Sequence, residues 1–267
     1  MPASDPARDR DLAADLALIS GAAAEAGRIA LRYFGKEPEV WMKLGQSPVS
    51  EADYAVDRFL RDALTAARPD YGWLSEETAD DPARLAARRT FVVDPIDGTR
   101  AFLAGRRTWC VSIAVVEEGR SLAGVLDCPA RGEIYAATLG LGSTKDGRPL
   151  RVAAPAGPLR IAGPKELVSR FEKGGPRLDP VSYIPSLAYR LAMVADGSLD
   201  ATFVKPNSHD WDLAAADLIL SEAGGMVLDE RGRRPAYARE TIAHGALAAG
   251  SGALLAQLSA VIAAQDA

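Results

Sequence analysis

The sequence predicts a mixed α/β (α+β) fold in two halves, and three observations predict it. A long stretch of helical periodicity opens the chain, a run of short apolar segments separated by turn residues follows, and beyond a break at 153–157 strands and helices alternate. The halves fall at 1–155, an α+β half, and 156–267, an α/β half. With 267 residues, 48% hydrophobic and 25% charged, the chain can bury a sizeable core.

Leu12, Leu16, Ile19, Ala23, Ala26 and Ile29 recur at spacings near three and four and stop before Gly35, so 11–33 reads as one amphipathic helix. Residues 34–50 carry Gly35, Pro38, Gly45 and Pro48 around the short run Val40-Trp41-Met42-Lys43, the composition of a hairpin or mobile loop of the kind that closes over sites. Ser50 can N-cap a helix running to Pro69, with Asp53 in its first turn. A short strand at 71–74 ends on Ser75-Glu76-Glu77-Thr78, and 80–89 is polar and reads as exposed. Strands at 90–93, 111–116, 122–126 and 133–137, with Glu117-Glu118-Gly119-Arg120 as a hairpin turn, form one antiparallel sheet. The segment 140–149, turning at Lys145-Asp146-Gly147, closes that half. Then strands at 160–162, 201–204, 226–228 and 246–249 alternate with helices at 165–171, 185–196 and 253–264, and a strongly helical run from Asp210 to Ala223 stops at Gly224-Gly225.

Composition narrows the function. The formal net charge is −5 and Lys and Arg are dispersed, which argues against nucleic acid and for a small ligand. Cys110 and Cys128 are the only cysteines, too few for a disulfide framework, so a reducing compartment is expected. Residues 1–18 hold acids and no apolar run, which gives the expectation of a cytoplasmic protein with no secretion signal or membrane span. His209 and His244 are the only histidines, so a three-histidine zinc site is excluded and carboxylates must hold any metal.

The strongest feature is Asp94-Pro95-Ile96-Asp97-Gly98-Thr99, directly behind Phe91-Val92-Val93. Two carboxylates on a bend after a buried strand repel by about 4 kcal/mol at roughly 4 Å even with an effective dielectric near 20. They must splay into solvent, share a proton or hold a cation. Asp53, Glu76 and Asp212 also stand at element ends. Alone, each has an ordinary explanation as a cap, a solvated turn or a helix-dipole partner. Together they bring acids from separate segments to strand ends and helix starts, where layered folds put active sites. Oxygen ligands of this kind suit Mg²⁺ beside a phosphate. Gly98 and a helix starting near Thr99 would aim backbone amides at an anion.

Leu74-Ser75-Glu76-Glu77-Thr78, Asp94-Pro95-Ile96-Asp97-Gly98-Thr99-Arg100-Ala101-Phe102, and Trp211-Asp212-Leu213-Ala214-Ala215-Ala216 through Glu222-Ala223-Gly224-Gly225 together resemble the three signatures of the inositol monophosphatase superfamily, in family order. Lys43 and Ser47-Pro48-Val49-Ser50-Glu51-Ala52-Asp53 resemble its loop and following helix start. The resemblance covers nearly all of 19–249 and implies a layered αβαβα sandwich of the inositol monophosphatase and sugar phosphatase type. It implies a homodimeric, Li⁺-sensitive hydrolase of phosphate monoesters using two Mg²⁺ ions, with a third, weaker ion in some members. Glu76, Asp94 and the Ile96 carbonyl would hold the first ion; Asp94, Asp97 and Asp212 the second. Thr99, polarised by Asp53, would act with Glu76 on the attacking water, and the amides of Gly98 and Thr99 would bind the phosphate.

The same resemblance leaves the substrate open. Lys205 stands where inositol-selective members carry a glutamate, and Arg100-Ala101 departs from their usual pair, resembling instead histidinol-phosphate and nucleoside-bisphosphate phosphatases. Expected substrates are therefore an inositol monophosphate-like ester, 3′-phosphoadenosine 5′-phosphate or histidinol phosphate, with Arg100, Ser186, Lys205 and Asp212 as expected substrate contacts. A regulatory binding protein on a phosphatase scaffold is the alternative of another class; retention of all five acids and Thr99 speaks against it.

Overall fold

The computed structural model describes residues 6–43, 48–173 and 175–264. Its first half contains α1 (Pro6–Leu31), β1 (Val40–Met42), β2 (Pro48–Ser50), α2 (Glu51–Ala67), β3 (Gly72–Ser75), a 3₁₀ turn (Pro82–Ala86), β4 (Arg89–Asp97), α3 (Thr99–Leu103), β5 (Cys110–Glu117), β6 (Arg120–Cys128), β7 (Glu133–Thr138), β8 (Gly142–Lys145) and β9 (Arg148–Pro149). Then follow β10 (Ile161–Ala162), α4 (Lys165–Glu172), α5 (Leu187–Ala195), β11 (Ala201–Val204), β12 (Ser208–His209), α6 (Asp210–Glu222), β13 (Met226–Asp229), β14 (Ala243–His244), β15 (Leu247–Gly250) and α7 (Gly252–Ala263).

Five layers result. Helices α1 and α2 cover one face of a seven-stranded sheet ordered β3-β4-β5-β6-β7-β8-β9, and α5 and α6 cover the other. Those two helices also carry a four-stranded sheet ordered β10-β11-β15-β13, whose outer face is closed by α4 and α7. A sheet covered on both faces cannot alternate apolar with polar. The unbroken run Phe91-Val92-Val93 follows from this: Phe91 and Val93 pack with Ile19, Leu60 and Trp109 under α1 and α2, while Val92 packs with Leu191 and Leu218 under α5 and α6. Gly124 lets α6 lie close against β6, since a Cβ there would sit 3.0 Å from the backbone of Ala215.

The expected helices and most strands are present, with informative exceptions. Strand β4 does not stop at Val93 but runs through Pro95 to Asp97, with a register shift against β5 between Asp94 and Asp97. A bulge tolerates the missing proline N–H and re-aims the two aspartates that flank it. The four strands read as one antiparallel sheet pair that way, and β3 joins their edge parallel to β4. Segment 80–89 is not all exposed. Arg84 is buried by hydrogen bonds to Asp80 and the carbonyls of Ala238 and Arg239, and Arg89 by Asp15, Glu117 and Tyr71. Long-range partners of this kind leave no local sequence signal. The two-residue pair β12–β14 is too short for any periodicity. Residues 34–50 include a β1–β2 hairpin, while Asp5, Gly45 and Ser47 lie outside the described residues.

Candidate active site

Asp53 enters at the third position of α2, where its carboxylate reaches back to accept the Ser50 amide at 2.8 Å and the Ser50 hydroxyl at 2.6 Å. This is the return arm of a helix-start capping box. It leaves Oδ1 to accept the Thr99 hydroxyl at 3.2 Å. The same hydroxyl also lies 3.1 Å from the Ile96 carbonyl, so one proton has two acceptors. One turn further along α2, Asp57 accepts the hydroxyls of Ser75 and Thr78 and pins the segment that bears Glu76.

Asp94 and Asp97 come from the bulged end of β4, and Asp212 from the first turn of α6, where it accepts the His209 amide at 2.7 Å. One carboxylate oxygen from each of these three acids lies within 4.8 Å of the others. Asp97 is held by the Ser186 hydroxyl and the amides of Leu187 and Ala188, so α5 begins on it. Glu76 stands beside the trio; its carboxylate takes the Lys43 ammonium at 2.9 Å, and Glu77 takes the same ammonium at 2.6 Å. The structure thus gathers Asp94, Asp97 and Asp212 most tightly, with Glu76 tied to Lys43 from the β1–β2 hairpin.

Crowding and burial register in the acidities. Burial, then the charges of Glu76, Asp97 and Asp212, hold Asp94 well above the usual carboxylate range. Burial and Asp97 push Asp212 up to about 8. Asp97 is pushed by burial to about 6, the hydrogen bonds from Ser186, Ala188 and Leu187 pulling the other way. Burial also lifts Asp53 to about 6. Glu77, lifted to about 7 by burial and Glu76, has a side chain only 2% exposed and is not the solvated turn residue that its sequence neighbourhood suggests. A cluster that resists ionisation when empty is one that a divalent cation relieves. The donors are all hard oxygens, which fits Mg²⁺.

The acids open into a cavity of about 780 Å³ also lined by Gly98, Thr99, Arg100, Tyr183, Arg190, Lys205, His209 and Trp211. Gly98 has φ +95°, and a Cβ there would meet the Ser186 Cβ at 2.9 Å, so only glycine fits the turn into α3. Arg100 and Lys205 line the cavity as expected. Ser186 does not: it is fully buried as the N-cap of α5, bonded to Asp97, so its expected substrate contact is replaced by a hold on a carboxylate. Sequence reasoning missed Arg190, one helical turn beyond Ser186. The available signal was a single cation in the otherwise apolar stretch Leu187-Ala188-Tyr189-Arg190-Leu191-Ala192.

The inositol monophosphatase family model matches residues 11–265. The chain belongs to the inositol monophosphatase family. Its members are phosphatases, and this chain is an enzyme of phosphate-monoester hydrolysis. Among family relatives, a histidinol-phosphatase of Chlorobaculum parvum is 34% identical over 235 residues, 82% of this chain and 87% of its own length. A 3′(2′),5′-bisphosphate nucleotidase of Aggregatibacter actinomycetemcomitans is 30% identical over 228 residues, 78% of this chain and 81% of its own. The crystal structure of the extragenic suppressor protein suhB from Bartonella henselae superposes with a TM-score of 0.82 at 29% identity, covering 93% of this chain and 98% of that one.

Proposed function

We propose that this family member is a Mg²⁺-dependent phosphomonoesterase whose metal ions are held by Glu76, Asp94, the Ile96 carbonyl, Asp97 and Asp212. The observation that carries the reading is the convergence of Asp94, Asp97 and Asp212 within 4.8 Å beside Thr99 on one cavity. When bound, Mg²⁺ supplies Lewis-acid polarisation of the phosphate and lowers the pKa of water, so no histidine is required. The chain's own residues do the positioning. Thr99 orients the attacking water through its hydroxyl, and Asp53 accepts the Thr99 proton, a role suited to a carboxylate raised to about 6. The Ile96 carbonyl, the competing acceptor for that proton, would be occupied by a bound cation, which would leave Asp53 to take it. Glu76 acts on the same water once released from Lys43. Backbone amides of Gly98 and Thr99, at the opening of α3, receive the phosphate oxygens.

The substrate is a small phosphorylated metabolite. An inositol monophosphate-like ester is one reading, and the relatives named for histidinol phosphate and for 3′(2′),5′-bisphosphate nucleotides supply two more. A cytoplasmic homodimer belongs to the same reading, the reducing compartment suiting two buried free thiols, Cys110 and Cys128. No described helix is long and apolar enough to cross a membrane. The test is phosphate release from inositol 1-phosphate, histidinol phosphate, 3′-phosphoadenosine 5′-phosphate and fructose 1,6-bisphosphate, with Mg²⁺, with EDTA and with added Li⁺. Release from at least one ester that EDTA abolishes and Li⁺ inhibits is expected. If no ester is hydrolysed the phosphatase reading fails and a binding role takes its place; if hydrolysis is indifferent to EDTA the metal dependence fails.

A further inference from the structure

We infer that Arg190 is the receptor for a second anionic group on the substrate, so that this enzyme prefers phosphate monoesters carrying a further phosphate or carboxylate over those whose remainder is neutral or cationic. The inference rests on the phosphatase reading of the site and adds what must lie beside the scissile ester.

Arg190 is only 9% exposed, lines the cavity, and its Nε has no hydrogen-bond partner among the described residues. The other buried arginines each hold several partners. Arg84 donates to Asp80 and to two backbone carbonyls, and Arg89 to Asp15, Glu117 and Tyr71. A buried guanidinium is retained in a fold when something satisfies it, and no described residue does so for Arg190 Nε.

The acids that Arg190 faces electrostatically are Asp97 and Asp212. Neither forms an ion pair with it. Asp97 is committed to Ser186, Leu187 and Ala188, and Asp212 to His209, and both belong to the cluster assigned to metal. Once their negative charge is spent on cations, Arg190 is a buried positive charge beside other positive charges, and only a ligand anion can relieve it. Its place on α5, one turn from the Ser186 cap that holds Asp97, sets the residue at the cavity wall, and a planar guanidinium matches phosphate or carboxylate oxygens. Arg100, at the start of α3, and Lys205, on the loop after β11, add further positive charge to the same cavity, and Tyr183 and Trp211 offer ring surface for the substrate body. Cations gathered in this cavity oppose an ammonium-bearing ester and do nothing for a neutral polyol.

The test compares matched substrates in wild type, Arg190→Met and Arg190→Lys, with Mg²⁺. The pair 3′-phosphoadenosine 5′-phosphate and adenosine 3′-phosphate reads a second phosphate; the pair 2-phosphoglycerate and glycerol 2-phosphate reads a carboxylate. Wild type is expected to favour the bis-anionic member of at least one pair by about tenfold or more in kcat/KM. In Arg190→Met that ratio falls to near one through KM, and Arg190→Lys restores part of it. The pair that shows the preference identifies which anion the site takes. A wild-type ratio near one for both pairs, or an equal fall for all four substrates in Arg190→Met with melting temperature preserved, overturns the inference and leaves the phosphatase reading standing. If Arg190→Met does not fold, the Arg190→Lys ratio decides in the same way. No phosphate release from any of the four by a wild type that hydrolyses inositol 1-phosphate or histidinol phosphate overturns the inference alone; no release from those esters either removes the phosphatase reading as well.

Discussion

Thr99 Oγ1 donates to Asp53 Oδ1 at 3.2 Å, while Asp53 Oδ2 is saturated by the amide and hydroxyl of Ser50. The helix cap and the hydrogen bond proposed to serve catalysis therefore share one carboxylate, each through its own oxygen. Thr99→Val keeps the shape and removes the hydroxyl, and should lower kcat by about 10²- to 10⁴-fold. Thr99→Ser should retain most of it. Steady-state kinetics on any accepted ester checks this; a Thr99→Val enzyme within threefold of wild type would remove Thr99 from the mechanism.

Ser186 supports Asp97 from below. Ser186→Ala deletes the hydroxyl while the amides of Leu187 and Ala188 remain on the carboxylate. Loss of an outer partner of a metal ligand typically costs about 10- to 100-fold in affinity. The Mg²⁺ concentration for half-maximal activity should rise by that factor, with substrate KM at saturating Mg²⁺ nearly unchanged. A rise in KM alone would return Ser186 to the substrate.

Metal-free protein should lose stability as pH rises. Asp97, at about 6, and Asp212, at about 8, are raised above their unfolded values by burial. Their favourable contribution is fully present below about pH 4, the unfolded carboxylate value, and is lost as pH climbs through 6 and then 8. Melting temperature in EDTA should fall between pH 5 and 8.5, the decline should be smaller in Asp212→Asn, and saturating Mg²⁺ should reverse it by mass action. Thermal melts in the two buffers read the sign directly; a Mg²⁺-independent curve would contradict it.

Gly98→Ala meets two obstacles, a left-handed φ and a 2.9 Å approach to Ser186. A strained backbone of this kind costs on the order of 1–3 kcal/mol, and the turn carries the proposed phosphate amides. Both melting temperature and kcat/KM should fall, measured by calorimetry and by phosphate release.

Much of this was legible because the acids lie at signals that local sequence encodes. Asp53 follows a capping serine, Asp212 opens a long helix, and Asp94 and Asp97 bracket Pro95 behind an apolar strand. The buried strand was readable for a similar reason, Phe91-Val92-Val93 being apolar throughout because helices cover both faces, whereas the five layers were implied only by the family resemblance. What was hidden depends on distant partners. Glu77 looks solvated until Lys43 folds onto it from the β1–β2 hairpin, and Ser186 looks like a helix-start residue facing substrate until α5 is seated on Asp97. Arg190 is concealed in an apolar helix whose burial only the second sheet reveals.

The most direct measurement of the central claim, that the acids at the end of β4 hold the catalytic metal, is phosphate release by Asp94→Asn across a Mg²⁺ titration. Turnover should fall by about 10³-fold or more and not recover at high Mg²⁺. Melting temperature in EDTA should be equal to or above that of wild type, since a buried repulsion is removed. Turnover within tenfold of wild type, with an unchanged Mg²⁺ requirement, would contradict it.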